Sequence, residues 1–316
     1  MNIVILISAV IVLGSAFLLP VILNSEHAGL TPAVREKAPG KFIHLSQGYT
    51  HYEIAGPENG SVIILIHGFS VPYYMWDQNF TVLSKAGFRV VRYDLYGRGL
   101  SDRPDVTYDC ELFVTQLREL IDALKLKGSI QLIGNSMGGA VATAFAAKFP
   151  EQIGKLALID PFNEQLPIGP FKMPLIGEFL SSIFLVPTAP QRQLQDFCHP
   201  ERFPEWPKLF RQQMQYKGFG RALLSTLRNF ISQDPSSDYF KIARQNKSVM
   251  LIWGTEDRTL STKGAVKLYH ILHPELVWVE QAGHLPHYEL PEIVNPQLIE
   301  FLAEHNHQEI SQREQA

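Results

Sequence analysis

Ser136 stands between glycines placed two residues to either side, in Gly134-Asn135-Ser136-Met137-Gly138. A serine hydroxyl attacks a carbonyl carbon only with help. It needs a base to take its proton, an acid to orient that base, and N–H donors for the oxyanion that forms. The chain offers a candidate for each. His284, in Gly283-His284-Leu285-Pro286-His287, follows a glycine that lets the loop turn over a strand end, and is the expected general base. His287 is expected to face solvent. Asp257, in Gly254-Thr255-Glu256-Asp257, is the expected acid, holding the imidazole's tautomer and stabilising the imidazolium. Asp160 is its competitor, and Glu256 reads as a solvated neighbour.

These residues require particular elements around them. Residues 129–133 have the length and β-branched content of a buried strand, while residues 140–148 are rich in helix formers and stop at Phe149-Pro150. Ser136 therefore sits on a strand-to-helix turn, where a side chain at Gly134 or Gly138 would find no room. The apolar run Val62–Ile66 ends at His67-Gly68-Phe69-Ser70, and His67 reads as an organiser of that loop. Residues 249–253 precede Asp257, residues 156–159 precede Asp160, and residues 276–279 lead to His284, so each candidate follows a strand-like run. Asp94, at the head of a loop containing Gly97, Gly99 and Ser101, reads as a structural residue whose carboxylate accepts backbone N–H bonds.

With His67-Gly68, Asp94 and its glycine loop, Gly134-x-Ser136-x-Gly138-Gly139, Gly254-x-x-Asp257 and Gly283-His284 in this order, the chain resembles the α/β-hydrolase superfamily over residues 41–304. The resemblance implies an α/β fold, with a mostly parallel central sheet, helices on both faces and an inserted helical cap. It implies a triad of Ser136, Asp257 and His284 in that chain order, with the N–H groups of Met137 and Phe69 as the oxyanion hole. Within the superfamily the chain looks most like monoacylglycerol lipase and lysophospholipase-like esterases, through His67-Gly68-Phe69-Ser70. It is also similar to the meta-cleavage product hydrolases, which cut C–C bonds and often share Gly-Asn-Ser-Met-Gly-Gly. Unlike them it has Leu285 after His284 where a tryptophan is usual, and lacks their extra oxyanion-loop glycines. The expected activity is hydrolysis of hydrophobic or lipid esters. C–C hydrolysis and a non-catalytic receptor on the same fold are the alternatives.

The organisation follows. Residues 41–160 and 249–304 are expected to form the core, opened by a hairpin over residues 42–45 and 52–54, and residues 161–248 a cap or lid. Residues 75–86, 110–125 and 262–272 read as covering helices, and residues 305–316 as a polar, frayed tail. The first part of the cap holds Phe171, Met173, Leu175, Ile176, Phe179 and Phe184, which would suit a lid over an apolar pocket. The second part, with Arg192, Arg211, Arg221 and Arg228, reads as a solvated basic face.

Residues 1–25 carry no charged side chain, and residues 3–23 are almost wholly aliphatic. About 20 apolar residues span a bilayer, so this segment is expected to be an uncleaved single-pass anchor, with a signal peptide and a secreted or periplasmic product as the alternative. Arg35, Lys37 and Lys41 beyond it favour a cytoplasmic catalytic domain. A net charge of −3 gives no basic footprint for nucleic acid. Cys110 and Cys198 are expected to be free thiols, a single disulfide being the alternative. No cofactor or metal is expected, since the histidines and cysteines have no ligand spacing and no phosphate-binding glycine loop opens a helix.

Overall fold

The computed structural model describes residues 18–313, with side chains through residue 303. Eight strands form one sheet: β1 (Lys41–Leu45), β2 (Gly48–Ala55), β3 (Val62–Ile66), β4 (Arg89–Tyr93), β5 (Ile130–Asn135), β6 (Ile153–Ile159), β7 (Ser248–Gly254) and β8 (Glu275–Val279), in the order β1-β2-β4-β3-β5-β6-β7-β8. The β1–β2 and β2–β4 pairs are antiparallel and all others parallel. The expected mostly parallel sheet is therefore present.

Buried parallel strands read as continuous apolar runs because both faces must be covered. Ile64, Ile66, Leu132, Leu156, Leu158 and Leu251 point to one face, against helices α2 (Cys110–Ala123), α3 (Met137–Lys148) and α9 (Thr262–Leu272). Ile63, Leu65, Ile133, Ala157, Ile159 and Met250 point to the other, against α1 (Asp77–Lys85) and α11 (Pro291–Arg313). This period-two division fixes which side of the sheet each helix occupies. Helix α11 runs on through most of the residues expected as a frayed tail.

Between β6 and β7 the chain is helical, with α4 (Ile176–Leu180), α5 (Val186–Arg192), α6 (Trp206–Met214), α7 (Phe219–Thr226) and α8 (Ser236–Arg244). Phe197, Trp206, Phe210 and Phe219 are buried in the same hydrophobic cluster as the sheet face that α1 and α11 cover. By contrast Met173, Leu175, Ile176 and Phe184 are exposed, so these apolar residues of the first part do not turn inward.

Among the described residues no helix is long and apolar enough to cross a membrane, which corrects the expected single-pass localisation. Residues 18–22 form a short helical stretch, and the polar residues after it leave the helix to pair with the cap. Glu26 accepts the N–H groups of Gly218 (2.5 Å) and Gly220 (2.6 Å), and His27 and Ala28 donate to Gln215 O (both 2.9 Å). Residues 1–17 of the expected anchor lie outside the described residues.

Asp94, at the end of β4, has the structural part expected of it. Its carboxylate accepts N–H bonds from Tyr73 (2.9 Å) and Leu100 (2.8 Å) and meets His51 Nδ1 at 2.8 Å, all out of water. His51 Nε2 in turn meets Pro39 O at 2.7 Å, so both ring nitrogens face acceptors, an arrangement that favours the imidazolium. Burial disfavours both charges, yet their mutual hydrogen bond and attraction hold Asp94 below and His51 above its ordinary range.

Breaking one side of a buried pair strands the other, so Asp94→Ala is expected to cost about 3–5 kcal/mol in urea unfolding. Asp94 contributes stability that is lost as pH falls through its depressed value. His51 contributes stability present below its unfolded value and lost as pH rises through its raised one. The difference between wild type and variant is therefore expected to be largest between about pH 4 and 6.5.

Candidate active site

The parallel strands end on one edge of the sheet, and the candidate residues lie on the loops there. Ser136 follows β5 directly and opens α3 with φ 52° and ψ −121°, a conformation that side chains rarely adopt. Glycines on either side make this turn possible. A Cβ on Gly134 would overlap the Gly138 carbonyl, and one on Gly138 would overlap the Ile66 carbonyl and come within 2.5 Å of His67 O. Strand, turn and helix thus pass closer than any side chain allows.

His67 is fully buried and acts as a loop organiser. Its Nδ1 lies 2.9 Å from Gly68 O and its Nε2 accepts from Leu95 N at 2.8 Å, while burial pushes the ring down to about 4 and keeps it neutral. Because the Gly68–Phe69 peptide is trans, fixing the Gly68 carbonyl also fixes the opposite direction of the Phe69 N–H. The Phe69 and Ser70 carbonyls are held as well. Buried Arg98 donates from Nε to Phe69 O (2.7 Å) and from Nη2 to Thr226 Oγ1 (2.9 Å), and Gln213 donates to Ser70 O (2.9 Å). Among the described residues, no backbone or side-chain acceptor takes the N–H of Phe69 or Met137.

His284 is held from three directions. Its Nδ1 lies 2.7 Å from Asp257 Oδ2, its N–H donates to Asp196 O (2.7 Å), and its carbonyl accepts from Asn135 Nδ2 (3.0 Å). With Nδ1–H committed to Asp257, Nε2 is left as the acceptor. Burial opposes the imidazolium, but the Asp257 charge and hydrogen bond outweigh it and raise the ring above its ordinary value. Ser136 and His284 line the same cavity, of about 130 Å³, although no hydrogen bond joins their side chains among the described residues. Such bonds are often long before substrate binds. A larger cleft of about 730 Å³, between residues 20–26 and the cap, contains none of the candidate residues.

His287 departs from expectation. It is buried, with its ring 4.4 Å from that of Trp76, because Pro286 starts the short helix α10 (Pro286–Glu289) and turns it inward. Burial holds it neutral, down to about 3. Glu289, on the same helix, accepts N–H bonds from Gly283 (2.9 Å), Cys198 (3.1 Å) and His199 (2.7 Å), tying the His284 loop to the cap. Both cysteines are free. The motifs do not announce the contacts that Asn135, Arg98, Gln213 and Glu289 make, since most of their partners lie far away in sequence.

Asp257 and Asp160 stand side by side at His284. Their carboxyl oxygens and His284 lie within 4.8 Å of one another, too close for two buried carboxylates to be ionised together. Asp257 is the better anion: besides His284 it accepts N–H bonds from Thr259 (2.7 Å) and Leu260 (3.0 Å). Asp160 has one backbone donor, Gly254 (3.1 Å), and its Oδ2 meets no donor. Burial and the charge of Asp257 drive Asp160 well above the usual carboxylate range, so it keeps the proton and can donate to Asp257. Asp160→Asn, which retains a neutral donor, is expected to slow fluorophosphonate labelling of Ser136 far less than Asp160→Ala, which removes the donor and leaves a void. The time course of labelled protein measures both.

Comparison with known proteins agrees with this fold. The model of a family described as the alpha/beta hydrolase family matches residues 63–297. The chain is 29% identical to the AB hydrolase superfamily protein YfhM of Bacillus subtilis, covering 83% of this chain and 97% of that protein. It is 27% identical to 2-hydroxy-6-oxononadienedioate/2-hydroxy-6-oxononatrienedioate hydrolase 1 of Pseudomonas putida, covering 85% and 99%. Among solved structures, a thermophilic esterase from Thermogutta terrifontis superposes with a TM-score of 0.72 at 23% identity, covering 84% and 99%, a likeness of fold. Strand order, turn and family match together lead to one conclusion: the chain belongs to the alpha/beta hydrolase family.

Proposed function

We propose that the protein is a serine hydrolase of carboxylic esters that works through an acyl-enzyme. The observation that carries this reading is His284, bonded to Asp257 and facing the same cavity as a serine in a strained turn, beside two N–H groups with no protein acceptor. Ser136 Oγ attacks the ester carbonyl while His284 Nε2 takes its proton. The oxyanion lies against the N–H groups of Met137 and Phe69, and collapse expels the alcohol with the proton from His284. Water, activated by the same imidazole, then releases the acid. Asp257 stays ionised throughout, and the proton on Asp160 helps it do so.

Within the ester class, the space supports small acyl groups over the monoacylglycerols and lysophospholipids that the sequence suggested. Pockets for drug-sized ligands span roughly 300–1,000 Å³, whereas the cavity at Ser136 holds about 130 Å³. Its residues from the cap are Gln193 and Asp196 rather than the apolar residues of the first part. The rival reading, drawn from the Pseudomonas putida relative, is hydrolysis of a dienedioate. Asp196 places a carboxyl beside His284, which disfavours a substrate bearing two carboxylates of its own.

Ser136→Ala is expected to lower turnover of p-nitrophenyl acetate by about 10⁴-fold or more and to abolish fluorophosphonate labelling. Unchanged turnover, or turnover of the dienedioate with none of esters, would refute the proposal. Because the base must be neutral and its value is raised, kcat/KM should climb with pH through an apparent value above the ordinary ~6.5 of histidine. Asp257→Asn should move that limb to lower pH as it cuts kcat.

A further inference from the structure

The cavity at Ser136 is not uniform. Phe69, Val71 and Met75 give it apolar lining, while Gln193, Asp196 and Thr259 give it polar lining, with Asp196 bonded to the His284 backbone and to Thr259. Chemistry distinguishes the two. The imidazole must hand its proton to the departing oxygen, so the alcohol of an ester lies on the side of His284 and the acyl group away from it.

Asp196 is built into that alcohol side. Its carbonyl accepts the N–H of His284 (2.7 Å), which sets it against the base, and its Oδ1 accepts from Thr259 Oγ1 (2.7 Å). Its Oδ2 has no hydrogen-bond partner among the described residues, and neither has the Gln193 side-chain amide, although the Arg192 and His284 charges act on the Asp196 carboxyl. Gln193–Asp196 is a single 3₁₀ turn, in which side chains three residues apart eclipse, so both present their polar ends to the same space. Glu289 holds the peptides just beyond, at Cys198 and His199, so the turn is fixed to the core. Arg192, the adjacent cation, donates to Leu185 O (2.9 Å).

We propose that Asp196 and Gln193 form a hydroxyl-reading subsite for the leaving group, so that the preferred substrates are short-acyl esters of polyhydroxylated alcohols. This rests on the serine-esterase reading above. A leaving-group hydroxyl gives the free carboxyl oxygen and the amide the partners they lack, whereas an alkyl alcohol leaves both unpaired. An anionic alcohol meets the Asp196 carboxyl head on.

The experiment compares glycerol monoacetate, propyl acetate and acetoxyacetate, which share one acyl group and differ only in the alcohol. The readout is the ratio of kcat/KM values within each protein, which is insensitive to the fraction of active enzyme. Wild type is expected to favour glycerol monoacetate over propyl acetate by about tenfold or more. Asp196→Ala should bring that ratio close to one, and Gln193→Ala should lower it in part. Asp196→Asn keeps the Thr259 bond and should raise acetoxyacetate relative to propyl acetate by about tenfold. A wild-type ratio near one, or ratios unchanged in both alanine variants, would overturn the subsite while Ser136-dependent turnover still stands. Turnover of these esters that survives Ser136→Ala would instead refute the esterase reading itself.

Discussion

The close passage of backbone at the Ser136 turn is the constraint on which the rest depends. Strand β5 and helix α3 meet so tightly that Gly134 faces the Gly138 carbonyl, and Gly138 faces the carbonyls of Ile66 and His67. That contact brings the end of β3 beside the start of α3. It therefore sets the loop after β3 against the serine through backbone contact alone. A non-glycine residue at positive φ costs on the order of 1–3 kcal/mol, which persists because strands on both sides are pinned in a fully buried sheet. Ser136 N donates to Ile159 O (3.0 Å) and its carbonyl accepts from Phe162 N (2.9 Å), so β6 shares in holding the turn.

Around this turn, buried charge is handled in two ways. Asp94 is ionised and surrounded by donors, which lets it fasten β2, β4 and the glycine loop at one point. Asp160 is as deeply buried but has few donors and an anionic neighbour, so it stays neutral. The difference lies in what faces each carboxyl, and both outcomes protect the geometry of the site. Arg98 belongs to the same scheme: burial lowers its guanidinium to about 9, and three acceptors, the Phe69 and Tyr96 carbonyls and Thr226 Oγ1, hold it in place.

Much of this was legible in the residues alone. Strand β3 and helix α9 have the bounds expected of them, and the continuous apolar run of the strand is a strong local signal. The elbow was legible because its glycines answer a local steric demand. The orientation of His287 was not, since whether a histidine turns inward depends on Trp76, more than 200 positions away. The apolar first part of the cap was read as a pocket lining, yet apolar content says nothing about direction, and Leu175 is 83% exposed. The apolar N-terminal run was read as a membrane span. Its described end instead breaks at Asn24 and Ser25 and is captured by Glu26, a contact that depends on a cap helix nearly 200 residues later.

Glu289 divides the cap into two parts of different character. Its buried carboxylate gathers the peptides of Gly283, Cys198 and His199, so the stretch after Asp196 moves only with the base loop. Swinging that stretch away would strand the Cys198 and His199 N–H groups and pull on the Asp196 carbonyl that holds the His284 N–H. The cap is thus no single hinged leaf. The part around Cys198 and His199 is tied to the core through Glu289, whereas Met173, Leu175, Ile176 and Phe184 in the part before it are exposed.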